Sequence, residues 1–126
     1  MKYLLLTYLD EKAWLGLGEA ERRQMVGEVV PHMERLMANG KFLEGAPLGP
    51  TSAAATVRLR DGKPLVTDGP FAETREQVGG YTLIDARDRD EAIAIAAGFL
   101  GTRGPAIIEI RAVAEMDVDF ARLRST

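Results

Sequence analysis

The sequence has no cysteine, so disulfides, thiolate nucleophiles and cysteine–zinc sites are excluded together. Its single histidine, His32, excludes a multi-histidine metal centre within one chain. Long apolar runs are missing too: the longest uncharged apolar stretch, residues 92–101, is too short to span a bilayer, so no membrane partner is expected. Basic charge is not in excess. Nineteen acidic residues against 16 Lys and Arg leave a net charge of −3, which gives no support to non-specific nucleic-acid binding. The opening Met1-Lys2-Tyr3-Leu4 lacks a signal-peptide layout, and the expected location is cytoplasmic. No P-loop, nucleophile elbow or dinucleotide fingerprint occurs, and neither a strong internal repeat nor a low-complexity tract is present.

What is present points to one folded domain. The 126 residues are 46% hydrophobic and 28% charged, an ordinary globular balance. Residues 3–9 read as a strand whose alternating faces, Leu4/Leu6/Tyr8 and Tyr3/Leu5/Leu9, are both mostly apolar, as in a strand covered on two sides. Residues 10–18 read as a polar connection holding the only tryptophan, Trp14. A helix over residues 19–39 follows. Glu19 and Glu21 suit the positive end of its dipole, and Met25, Val26, Val29, Val30, Met33, Leu36 and Met37 form one apolar stripe. Asn39-Gly40 stops it. Pro31 presses toward the carbonyl of Gly27 and predicts a bend.

Residues 41–48 predict a short edge strand weakened by Gly45 and Pro47. Residues 53–60 alternate, Asp61-Gly62 is a strong hairpin signal, and residues 63–67 form the return arm, with Pro64 implying an edge. Residues 68–80 read as loop and 81–85 as strand. Asp88 and Glu91 fit a capping box that opens a helix to about Leu100. A turn over residues 101–105 and a strand over 106–113 complete a single domain of residues 1–113, followed by a charged tail at 114–126.

The order β-α-β-(β-hairpin)-β-α-β, with one apolar stripe per helix, predicts an α+β protein: a ferredoxin-like split βαβ with an inserted β-hairpin. Two helices cover one face of a four-stranded sheet. Because the first strand is apolar on both sides, the second face is expected to be buried against another copy, in a homodimer whose sheets enclose a cavity.

Asp68-Gly69-Pro70-Phe71, then Ala72-Glu73-Thr74-Arg75-Glu76 and Gly79-Gly80-Tyr81, resemble the signature of the DGPF group of YCII-related proteins. The likeness extends to Met1-Lys2-Tyr3-Leu4-Leu5-Leu6, Asp90-Glu91-Ala92 and Ile108-Glu109-Ile110-Arg111, and so spans about residues 1–113. Two departures are Ala112, where the group usually has proline, and residues 98–101, which lack a proline often found there. The resemblance implies a dimeric α/β barrel whose members look enzyme-like, with activity largely unassigned. Some are encoded beside extracytoplasmic-function sigma factors.

Seven residues are candidates for a site. Asp68 is either a turn-former, with Phe71 pinning the loop onto the core, or a general base or anchor at a cavity mouth. Glu73 is either solvated or a proton-transfer group beside a dry cavity; Glu76 is a weaker candidate of the same kind. His32 lies at the edge of the helix stripe. The resemblance implies pairing with an aspartate as an acid–base dyad; the alternative is a boundary histidine with a satisfied hydrogen bond. Glu109 and Arg111 share a sheet face, as an interface ion pair or as an anchor for an anionic substrate. Tyr81 offers a phenol to the cavity or packs in the core.

These residues lead to two expectations from different classes. The first is a small enzyme-like homodimer binding a small polar or anionic molecule, with His32, Asp68 and Glu73 as catalytic groups, Tyr81, Glu109 and Arg111 as substrate-binding groups, and no metal or organic cofactor. The second is a non-enzymatic interaction or sensor module, such as an accessory to sigma-factor-dependent transcription.

Overall fold

A computed structural model describes residues 1–101 and 106–114. The expected turn at 101–105, apart from Gly101, and the tail beyond Ala114 lie outside the described residues. Strand β1 (Lys2–Asp10) is central. Antiparallel to it on one side runs β5 (Glu76–Asp85) and on the other β6 (Ile107–Ala112), while β2 (Phe42–Pro47) pairs with β5 at the edge. The four-stranded order is therefore β2-β5-β1-β6, wholly antiparallel. Gly45 and Pro47 are tolerated in β2 because an edge strand has one unpaired side.

Among the described residues, three α-helices accompany the sheet: α1 (Glu11–Gly16), α2 (Glu19–Ala38) and α3 (Arg89–Leu100). The core joins Tyr3, Leu5 and Ile84 of the sheet to Leu36 of α2 and to Ala92, Ile95 and Ala96 of α3, flanked by Ile108 and Ile110. Small residues on α3 let it lie close to the strands. Side chains alternate along a strand, and the register sets Tyr3 opposite Ile84 and Leu5 opposite Ile110. Leu4, Leu6, Leu83, Glu109 and Arg111 consequently share the other sheet face.

The connection expected at residues 10–18 contains α1. Asp10 caps it by accepting from the Ala13 amide at 3.1 Å. Its last turn is closed by Arg22, whose Nη1 donates to the carbonyls of Trp14, Leu15 and Leu17. A cap and a cation at the C-terminus stabilise a helix too short to read from periodicity.

The loop expected over residues 68–80 is also shorter, since β5 begins at Glu76. Gly79-Gly80 suggests a break, yet both residues lie within β5: the register skips Gly79 at a bulge opposite Thr7/Tyr8, and a Cβ there would run into Leu9.

Helix α2 continues through Pro31. Its stripe is less buried than its spacing suggests: Leu36 is buried, but Val26 and Met37 are 55% and 54% exposed. Beneath part of it runs a groove of about 420 Å³ lined by Val26, Val29, Val30 and Met33 of the helix and by Gly45, Gly79 and Gly80 of the sheet.

The capping box of α3 is modified. Asp88 accepts from the Glu91 amide at 2.9 Å, but Glu91 reaches past the cap to the Arg87 amide at 3.0 Å. Glu91 also pairs with Lys41 at 2.7 Å and with Arg87 at 3.1 Å. These partners hold its carboxyl below the ordinary glutamate range, the Lys41 hydrogen bond contributing most.

Strands β3 (Ala55–Arg60) and β4 (Lys63–Asp68) form a separate two-stranded sheet. Asp61 and Gly62 both take positive φ, 52° and 75°, as a tight hairpin with a type I′ turn requires.

Candidate functional site

The register brings Tyr81, Glu109 and Arg111 onto the sheet face away from the helices. Leu6 stands between Tyr81 on β5 and Glu109 on β6, and Leu4 stands between Leu83 and Arg111. Two further residues, missed in the sequence, complete this surface. Tyr8 donates from its hydroxyl to Glu109 Oε1 at 2.8 Å, and Tyr81 donates to Glu44 Oε1 at 2.9 Å. Each phenol is pushed above its ordinary pKa, first because its hydrogen bond to a carboxylate favours the protonated form.

The surface is thus a ridge of half-buried leucines flanked by two tyrosine–glutamate pairs, with Arg111 in the Leu4 row. Among the described residues, Arg111 makes no salt bridge. Alternation had already grouped Tyr8 with Leu4 and Leu6. Its meeting with Glu109 depends on β6 lying beside β1, more than 100 residues later in the chain.

His32 lies on the opposite side of the sheet. Its Nε2 is 2.8 Å from the Ile95 carbonyl, which can only accept, so this nitrogen carries the proton. The ring packs edge-on against Phe99, with centroids 4.8 Å apart. Gly98 makes room for it: a methyl group there would overlap the imidazole. The protomer does not join His32 to Asp68 or Glu73.

Asp68 and Glu73 belong to a third region. Asp68 ends β4 opposite Ala55 and is exposed. The turn after it is closed by backbone and hydroxyl groups: the Gly69 amide donates to the Ala54 carbonyl at 2.7 Å, and Thr56 Oγ1 donates to the Gly69 carbonyl at 2.9 Å. Gly69 takes φ 98°, a conformation that glycine accepts without steric cost. Phe71 does not pin the loop to the core. It is 80% exposed, with the Arg58 guanidinium 5.7 Å above its ring.

Glu73 lines an open cleft of about 1000 Å³ between this loop and the corner of β1 and α1. The cleft walls are tied together. Arg75 Nε donates to Asp10 at 2.9 Å, Thr51 donates from both its amide and its hydroxyl to Glu11, and Gln77 Nε2 holds the carbonyls of Ala72 and Thr74. Asp10 therefore joins a strand end, a helix cap and the loop, and Arg75 chiefly holds its carboxyl below the ordinary range. Among the described residues, no group of three His, Asp or Glu side chains could hold a metal ion, and no helix is long and apolar enough to cross a membrane.

Geometry alone places the chain in the class of mixed α+β proteins with an antiparallel sheet, helices on one face and polar pairs on the other. The particular family follows from sequence comparison: the chain belongs to the YCII-related domain family, whose model matches residues 1–117. It is similar to an uncharacterized protein of Rhizobium meliloti, 38% identical over 96 residues that cover 76% of this chain and 77% of that protein.

Proposed function

We propose that this YCII-related protein is a cytoplasmic homodimer of the DGPF group that binds a small polar or anionic molecule between its two sheets. The observation that carries this reading is the joining of Tyr8–Glu109, Tyr81–Glu44 and Arg111 on one otherwise apolar sheet face. The strand order β2-β5-β1-β6, with two main helices on one side, supports a ferredoxin-like sheet whose uncovered face meets a second copy. The paired leucines supply an apolar floor, and a second copy would exclude water from it. Arg111 offers a planar fork of donors to a carboxylate or phosphate, while the tyrosine hydroxyls fix the orientation of a bound molecule.

Binding is favoured over His32-centred acid–base chemistry by a separate observation. His32 is committed to the Ile95 carbonyl on the helix side, away from Asp68, Glu73 and the polar sheet face.

The test is a thermal-shift series with small carboxylates and phosphates on the wild type and on Arg111→Gln. The wild type should be stabilised by at least one anion, and the variant should need about tenfold more of it for the same shift. An unresponsive wild type, or a variant that responds equally, overturns the reading.

A further inference from the structure

The β3–β4 hairpin has two unlike faces. Directly opposed residues point the same way in an antiparallel pair. Ala55, Val57, Leu59, Pro64 and Val66 therefore share one face, with Asp68 at its base, while Thr56, Arg58, Arg60, Lys63, Leu65 and Thr67 share the other. The first face is apolar for its whole length and uncovered: Val57, Leu59 and Val66 are 65, 75 and 60% exposed. A two-stranded hairpin in water is marginal at best without something on which to lay its apolar side. Its own protomer supplies nothing comparable, since every residue of β4 is exposed and only Thr56 of β3 is half-buried.

We infer that this hairpin is an arm that lays its Val57/Leu59/Val66 face on a second copy of the same chain and so positions the loop of residues 69–75 beside the cleft. The inference rests on the homodimer proposed above and adds the element that clasps it.

Area argues for a second copy as the occupant. The apolar face of one arm offers roughly 400 Å², in the range of the largest and often functional patches of soluble chains. In a two-fold dimer both arms are covered at once. With the surface they cover, they would remove about 1,600 Å² from water, the total of a standard stable interface. The basic edge of Arg58, Arg60 and Lys63 meanwhile stays toward solvent. The arm is also coupled to the cleft through its base. Gly69 is bonded in both directions to Ala54 and Thr56, and the next residues carry Glu73 and Arg75 to the cleft wall. Fixing the arm thus fixes the loop.

The cysteine-free chain allows a direct test. Leu59→Cys and Val57→Cys place a thiol on the apolar face, and Arg60→Cys places one on the other face. Alkylation by a maleimide is timed on each full-length variant, with the association state followed by sedimentation equilibrium. In the dimer, positions 57 and 59 should react at least about tenfold more slowly than position 60, and the protection should vanish on dilution to single chains.

Equal rates in a sample that sediments as a dimer overturn the arm while leaving the sheet-face dimer intact. A chain that remains single at every concentration overturns both. Protection that persists in single chains means that the arm folds onto its own protomer, and protection that appears only on adding lysate means a different protein; either result overturns the inference. A second measurement separates the two surfaces. Leu59→Asp should raise the dimer Kd at least about tenfold without loss of folded signal, and an unchanged Kd overturns the arm's role.

Discussion

Strand β1 and the β3–β4 hairpin both carry leucine or valine side chains, on both faces of β1 and chiefly on one face of the hairpin, yet these end in opposite surroundings. Tyr3 and Leu5 of β1 are 5% and 1% exposed because β5, β6 and the helices enclose them, whereas Leu59 of the hairpin stands 75% exposed. In both, the local pattern marks at least one apolar face. The difference lies in what the chain brings to each strand: β1 receives a partner on both edges and a helical layer on one face, while the hairpin receives only itself. Apolar alternation therefore marks a surface that needs a cover without saying whether the cover comes from the same chain.

The largest test of this contrast is to shorten one side chain in each region. Ile84→Ala opens a cavity in the enclosed layer and should cost about 2–5 kcal/mol, lowering Tm by about 10 °C. Leu59→Ala, measured at concentrations where the chains are single, should cost less than about 0.5 kcal/mol. Comparable losses in urea denaturation would mean that the hairpin is packed within its own protomer.

A second test sharpens how the helical layer is fitted. Gly98→Ala forces the His32 ring to move and should destabilise the protein by about 1–2 kcal/mol, the strain outweighing the gain in helix propensity. In a His32→Ala background the overlap is gone, and the same substitution should stabilise by up to about 1 kcal/mol. Denaturant midpoints of the four proteins check this reversal; the same sign in both backgrounds would remove the packing role assigned to Gly98.

The smallest expected effect is electrostatic. Glu91, tied to Lys41 and to Arg87, has a lowered pKa in the fold. It contributes stability that is fully present above the unfolded glutamate value of about 4.3 and is lost as pH falls through the lower folded value. Glu91→Gln should therefore flatten the acid side of the stability–pH curve and leave its slope above pH 6 unchanged, as read from Tm between about pH 2 and 7. An acid limb as steep as in the wild type would show that the Lys41 and Arg87 contacts do not persist in solution.

Much of the fold was legible because strong local signals agreed with it. The double-faced apolar run of residues 3–9, the Asp61-Gly62 turn and the Asp88 cap each named an element that the structure contains. Helix α1 was not legible, since it is too short to display a period and owes its ends to Asp10 and Arg22. The early start of β5 was hidden by Gly79 and Gly80, which suggest a break and instead accommodate Leu9 and the backbone of β2.

Of the candidate site, alternation along single strands placed Glu109 with Arg111 and Tyr8 with Leu6. Joining these into one surface required the strand order. His32, the one side chain whose unperturbed pKa lies near neutrality, stood out by composition, but its position was set by a carbonyl and a glycine on α3.

By itself, the sequence determined the kind of chain this is: an α+β chain without cysteine, with an amphipathic hairpin between its second and third sheet strands and a recognisable family signature. Those properties depend on composition and on neighbours within a few residues, where propensity, capping and turn geometry act. Tertiary structure alone decided that the Tyr8–Glu109 and Tyr81–Glu44 pairs share a face, that His32 lies behind it, and that the hairpin remains uncovered. Each of these outcomes depends on contacts between residues far apart in the chain, or on their absence, and local propensities carry no record of which distant surfaces will meet.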